Sequence, residues 1–152
     1  MTELRWMDGG AGGLCARLLE TVPLWFGMPE ANAAYAETAD RERNVVAFDG
    51  DDAVGILTVV QHSPEAAEVH LMAVRIDLHR RGVGRQMLGA AEANLRAEGF
   101  RFLQVKTLSS KSADESYAKT RAFYAAMGFV VLEEMPELWD PSNPAVIMIK
   151  AL

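Results

Sequence analysis

The sequence predicts an α/β domain of the α+β kind: one mixed sheet with helices packed on its faces. Three observations lead there. Two strand-like runs, "NVVAF" and "AVGILTVVQ", are joined by "DGDD", a strong hairpin signal that makes part of the sheet antiparallel. "AEVHLMAV" and "FRFLQVKT" flank a glycine loop and a helical stretch, which is a strand–helix–strand unit. Finally, 152 residues with 50% hydrophobic and 24% charged composition suit a single domain, residues 1–152, able to bury a core without disulfides or metal.

The elements follow in order. "GGAGGLCARLLETV" is a glycine-rich start running into a helix, with Leu14, Leu18 and Leu19 marking its buried side. "MPEANAAYAETAD" is a second short helix with Pro29 near its first turn. The hairpin strands come next, then the turn-like "HSPEAA" and the strand "AEVHLMAV". Past the loop "DLHRRGVGR" a helix spans Val83 to Glu98, because Met87, Leu88, Ala91 and Leu95 recur at helical spacing and Gly99 is placed to end it. "FRFLQVKT" is a strand, "LSSKSAD" a polar loop, and "ESYAKTRAFYAAMG" a helix closed by Gly128. "FVVLEEM" and "AVIMIKAL" are the last two strands, separated by "PELWDPSNP", a loop whose prolines bar regular structure.

Composition narrows the function. The lone Cys15 has no disulfide partner, which points to a reducing, cytoplasmic setting, and a small buried residue is the better reading of it than a nucleophile. No apolar run nears the roughly 20 residues that span a bilayer, so no membrane partner is expected. An N-terminus carrying Glu3 and Asp8 is unlike a signal peptide. A net charge of −6 argues against nucleic-acid binding, which wants a basic face. Three scattered histidines and one cysteine offer no metal set. Positive charge is local instead: Arg75, His79, Arg80, Arg81 and Arg85 crowd one stretch and suggest a compact anionic ligand.

That stretch is "DLHRRGVGR". Glycines let a backbone turn its N–H groups onto an anion, and the helix that follows adds about half a positive charge at its N-terminus. It is neither a P-loop, which needs Gly-Lys-Ser/Thr, nor a dinucleotide loop, which needs glycine where Met87 stands. Taken alone it reads equally well as a solvated, arginine-rich helix start.

Two motifs together resemble the GCN5-related N-acetyltransferase (GNAT) superfamily. The loop His79-Arg80-Arg81-Gly82-Val83-Gly84 is similar to that family's Gln/Arg-x-x-Gly-x-Gly/Ala, with histidine in the first place. "TRAFYAAMGF" matches its late helix, in which a tyrosine, here Tyr124, precedes a Gly-Phe pair by four residues. The resemblance covers roughly Asn44 to the C-terminus. It implies a mostly antiparallel twisted sheet of six to seven strands flanked by about four helices, and an acetyl-CoA-dependent enzyme without a metal. The amides of Arg80 to Arg85 would hold the pyrophosphate, and the backbone of Met72, Ala73 and Val74 would align the pantetheine arm. Tyr117 stands where the family often has an asparagine touching that arm.

The resemblance also implies a catalytic pair. Tyr124 would donate a proton to the departing thiolate, and a phenol of pKa about 10 is protonated at neutral pH. An alkylammonium is neutral only on the order of one part in a thousand at pH 7, so a base or water chain must take its proton. Glu68, fourteen residues before Gly82, occupies the place of the family's strand glutamate. Alternation predicts Glu68, His70 and Met72 on one face of their strand, which leaves His70 as a competing base and a solvent-facing Glu68 as the plainer alternative. The acceptor amine, read as a small molecule, would bind between "TVPLWFGMPEANAAY" and "PELWDPSNP", with Trp25, Phe26 and Trp139 as candidate lining and Glu30, Glu137 and Asp140 as candidate anchors for its charge. A homodimer is common in the family. The rivals are a non-catalytic acyl-CoA-binding or regulatory module and a structural α/β domain with no such site.

Overall fold

The computed structural model describes residues 2–112 and 114–152; Met1 and Ala113, the latter within the predicted loop "LSSKSAD", lie outside the described residues. The "DGDD" turn forms as predicted: β2 (Arg43–Asp49) and β3 (Asp52–Gln61) are antiparallel neighbours closing at Asp49↔Asp52. β4 (Ala66–Val74) returns antiparallel to β3, and α3 (Val83–Ala97) carries the chain to β5 (Phe102–Leu108), parallel to β4. Two further helices, α1 (Gly12–Leu19) and α2 (Pro29–Arg41), precede the hairpin, and α4 (Ser116–Ala126) leads to β6 (Val130–Asp140) and β7 (Asn143–Ala151). The seven strands run β1-β2-β3-β4-β5-β7-β6, and only β4–β5 is parallel.

Two expectations change. β1 (Glu3–Asp8) is a strand that the sequence did not announce; it pairs with β2 at the sheet edge, where mixed exposure leaves no apolar alternation. "PELWDPSNP" is not a loop: β6 runs through Pro136 to Asp140, and β7 begins at Asn143. β6 is an edge strand, so Pro136 needs no ladder bond on its outer side, and the register with β7 shifts between Met135 and Asp140. The turn is only Pro141-Ser142, where the Ser142 N–H donates to Asp140 Oδ1 at 2.8 Å.

Helices cover both sheet faces. Val45, Leu57 and Val69 pack under Met87, Leu88 and Leu95 of α3, while Val46, Ile56 and Leu71 pack against Leu18 and Leu19 of α1. Buried Asn44 joins the layers: its Nδ2 donates to Ala39 O and Glu42 O at 2.9 Å, and its Oδ1 accepts from Thr58 Oγ1 at 2.7 Å. Cys15 is buried in the α1 layer and burial pushes its thiol up to about 11, which leaves it an inert core residue.

The face assignment along β4 also differs from simple alternation. Thr58 stands opposite Leu71 but Val59 opposite Val69, so His70 is the extra residue of a β-bulge. Glu68 and His70 therefore share the α2 side, where His70 packs edge-to-face on Tyr35 at 5.4 Å, whereas Met72 joins the α3–α4 cluster on the other face.

Candidate active site

β4 and β5 pair only from Ala66↔Phe102 to Val69↔Val105. Beyond that point the strands part like a fork, because β5 continues along β7 while β4 stays with β3. The stretch Leu71–Val74 thus keeps one free edge. A cleft of about 750 Å³ opens there, closed on its far side by α4 and at its mouth by the glycine loop.

The loop has the conformation an anion cradle requires. Gly82, the α3 N-cap, sits at φ +80°, where a side chain would be strained, and Arg80 adopts φ +64° despite having one. The first helical bond is Gln86 N–H to Gly82 O at 3.0 Å, so the amides of Val83, Gly84 and Arg85 point out of the helix end with no partner among the described residues. The side chains of Arg80, Arg85 and Lys119 add positive charge to the cleft lining of a protein whose net charge is −6. Arg81 does not line the cleft, and its N–H is committed to Leu78 O at 3.3 Å. The His79 ring lies against Trp25, with centroids 5.3 Å apart, and donates from Nε2 to Val74 O at 2.7 Å.

Met72, Ala73, Val74, Tyr117 and Tyr124 line the same cleft. Tyr124 is 3% exposed, held between Phe123 and Phe129 with ring centroids 5.3 Å away on each side, and its hydroxyl makes no hydrogen bond among the described residues. Burial pushes its phenol well above the ordinary value, so it carries its proton at any physiological pH. Tyr117 is occupied differently. Its hydroxyl donates to Trp25 O at 2.6 Å, while Trp25 Nε1 donates back to Ser116 O at 3.2 Å. Burial raises the Tyr117 phenol to about 12, and the reciprocal bonds fasten the α1–α2 connection to the start of α4.

Glu68 does not line the cleft. It sits 5% exposed near the closed end of the fork, on the α2 face. Its Oε1 accepts from His62 Nε2 at 2.5 Å, Lys106 Nζ at 3.2 Å and Gln104 Nε2 at 3.3 Å, while Oε2 has no partner among the described residues. His70 is half-buried two residues on; burial lowers its pKa, opposed by the neighbouring Glu68 charge.

Trp25 and Phe26 line the cleft beside Val22, whereas Trp139, Glu137, Asp140 and Glu30 do not. Lys106, Lys119 and the Tyr117–Trp25 clamp escape sequence reading. Lys119 is adjacent to Thr120, whose helical spacing with Tyr124 marks that face, but nothing in the sequence signals the contact of Lys106 with Glu68. Among the described residues no group of three or more His, Cys, Asp or Glu side chains could hold a metal, and no helix is long and apolar enough to cross a membrane.

A forked sheet with a left-handed glycine loop at its mouth is the architecture of the acetyltransferase fold. The family profile described as the acetyltransferase (GNAT) domain matches residues 40–131, and the chain belongs to that family of acetyltransferases. Similar solved structures include a protein from Desulfovibrio desulfuricans assigned to the GNAT family of acetyltransferases (TM-score 0.86, 20% identity, 99% of each chain covered). A GNAT-family acetyltransferase from Elizabethkingia anophelis with acetyl-CoA bound superposes with TM-score 0.74 at 16% identity, over 99% of this chain and 98% of that one. The aminoglycoside 6′-N-acetyltransferase from Enterococcus faecium gives TM-score 0.74 at 19% identity, over 98% and 96%. No curated protein matches the chain by sequence.

Proposed function

We propose that the chain, as a single domain in the cytoplasm, is an N-acetyltransferase that moves acetyl from acetyl-CoA to a primary amine of a small molecule, directly and within a ternary complex. The observation that carries this reading is the convergence, in one cleft, of the open amides of Val83, Gly84 and Arg85, the free edge of β4 and the hydroxyl of Tyr124. A diphosphate fits the amides, an amide-bearing arm fits the strand edge as an added strand, and the thioester end then lies toward the fork. The similar proteins that carry acetyl-CoA or act on an aminoglycoside support the donor and the kind of acceptor.

In the reaction the amine nitrogen attacks the thioester carbonyl, the amine proton passes through water to Glu68, which stands outside the cleft, and the C–S bond breaks as the tetrahedral intermediate collapses. Glu68 is the better base because Oε2 is unpartnered, and His70 stands next to it as the second acceptor. Since burial raises the Tyr124 phenol, full proton transfer to a thiolate of pKa about 8.5 is uphill, and the hydroxyl acts chiefly as a hydrogen-bond donor to the developing sulfur charge. Thiol release from acetyl-CoA, followed across a panel of small-molecule amines, tests the function. Acetyl-CoA binding with no turnover on any amine would favour the non-catalytic module, and no binding at all would favour the structural domain.

A further inference from the structure

Glu68 is an acid held by one oxygen only. His62 reaches it from just beyond β3, and Gln104 and Lys106 reach it from β5; all three meet Oε1. Oε2 carries no hydrogen bond among the described residues and is not fully sealed from solvent. Lys106 is the first β5 residue past the last β4–β5 pair, Val69↔Val105, so its side chain spans the fork where backbone pairing stops. The Lys106 side chain is 27% exposed and meets a carboxylate that is only 6% exposed.

The geometry assigns Lys106 a role in proton removal: it is the positioning residue that holds Glu68 by Oε1, so that Oε2 is the oxygen left to take the acceptor's proton. The inference rests on the reading of Glu68 as base. The other groups facing this carboxylate are His62, Gln104, His70 on its own strand and Tyr35 on α2; among the described residues the ammonium on it comes from Lys106. Removing the ammonium takes away one of the three donors that hold Oε1 and frees the carboxylate to turn away from the acceptor's proton. A simple strut between β4 and β5 would instead act on folding alone.

The test is a double-mutant cycle with Lys106→Met, Glu68→Gln and the pair, with Lys106→Arg as the charge-conserving control, read by thiol release and by thermal melting. Lys106→Met is expected to lower kcat about tenfold or more at pH 7 while KM for acetyl-CoA stays within about twofold. Lys106→Arg recovers most of the rate, and Lys106→Met costs nothing further once Glu68 is Gln. An equal loss in both backgrounds would overturn the assignment. If Lys106→Met melts early, Lys106→Arg decides: an arginine that folds normally but leaves the rate low also overturns it. A wild-type protein that releases no thiol with any amine would overturn the functional reading, and this assignment with it.

Discussion

Replacing Tyr124 with phenylalanine isolates one atom. The ring keeps its edge contacts with Phe123 and Phe129, and the lost hydroxyl has no hydrogen-bond partner among the described residues, so the melting temperature should not fall. The pyrophosphate cradle lies in the loop and first turn of α3, so acetyl-CoA affinity should change by less than about twofold. What goes is a hydrogen bond to a sulfur that gains charge as the C–S bond breaks. A hydrogen bond to a charged group contributes about 1.5–3 kcal/mol, which converts to a fall in kcat of about 10- to 150-fold. The assay is steady-state thiol release with an accepted amine, paired with calorimetric titration of acetyl-CoA. An unchanged kcat on such an amine would sink the role of Tyr124. A fall in affinity matching the fall in kcat would mean that the hydroxyl serves binding instead.

Other consequences can be measured separately. Gly82→Val forces a branched side chain to φ +80° at about 1–2 kcal/mol, and calorimetry should find acetyl-CoA bound about 5- to 30-fold more weakly if the loop deforms to relieve it. Asn44→Ala removes three hydrogen bonds, two of them buried, and strands their partners, so urea unfolding should register a loss of about 2–4 kcal/mol. His70 has a folded pKa below its unfolded value of about 6.5, so the unfolded chain binds the extra proton. Its contribution is fully present above about pH 6.5 and is lost as pH falls toward the lowered folded value. Urea titrations at several pH values should show a shallower acid-side decline in His70→Gln than in the wild type; identical slopes would remove His70 from that account.

The features legible in the sequence were those that depend on local chemistry. The hairpin at "DGDD", the helix from Val83 and the glycine loop each follow from a few neighbouring residues, and the structure has all three. β1 was invisible because an edge strand with one neighbour needs no apolar alternation. β6 and β7 were cut short because prolines were read as breakers, though Pro136 lies on an open edge that tolerates them. At the site, Tyr124 and the loop were found by motif. The Glu68 network was not, because Lys106 and Gln104 lie 38 and 36 residues away and meet it only through the parallel pairing of two strands.

The bulge at His70 has a meaning for how the two reactants share one strand. With it, Glu68 and His70 face α2 while Ala67 and Val69 face α3, and from Leu71 onward the alternation resumes out of phase, so Met72 and Val74 turn toward α3 and α4. β4 thereby works as a partition: its first half furnishes acid–base groups to one compartment, and its second half lends backbone to the other. A one-residue deletion there would exchange the two sides. The phase of this strand, more than the identity of any side chain on it, decides which reactant meets which chemistry.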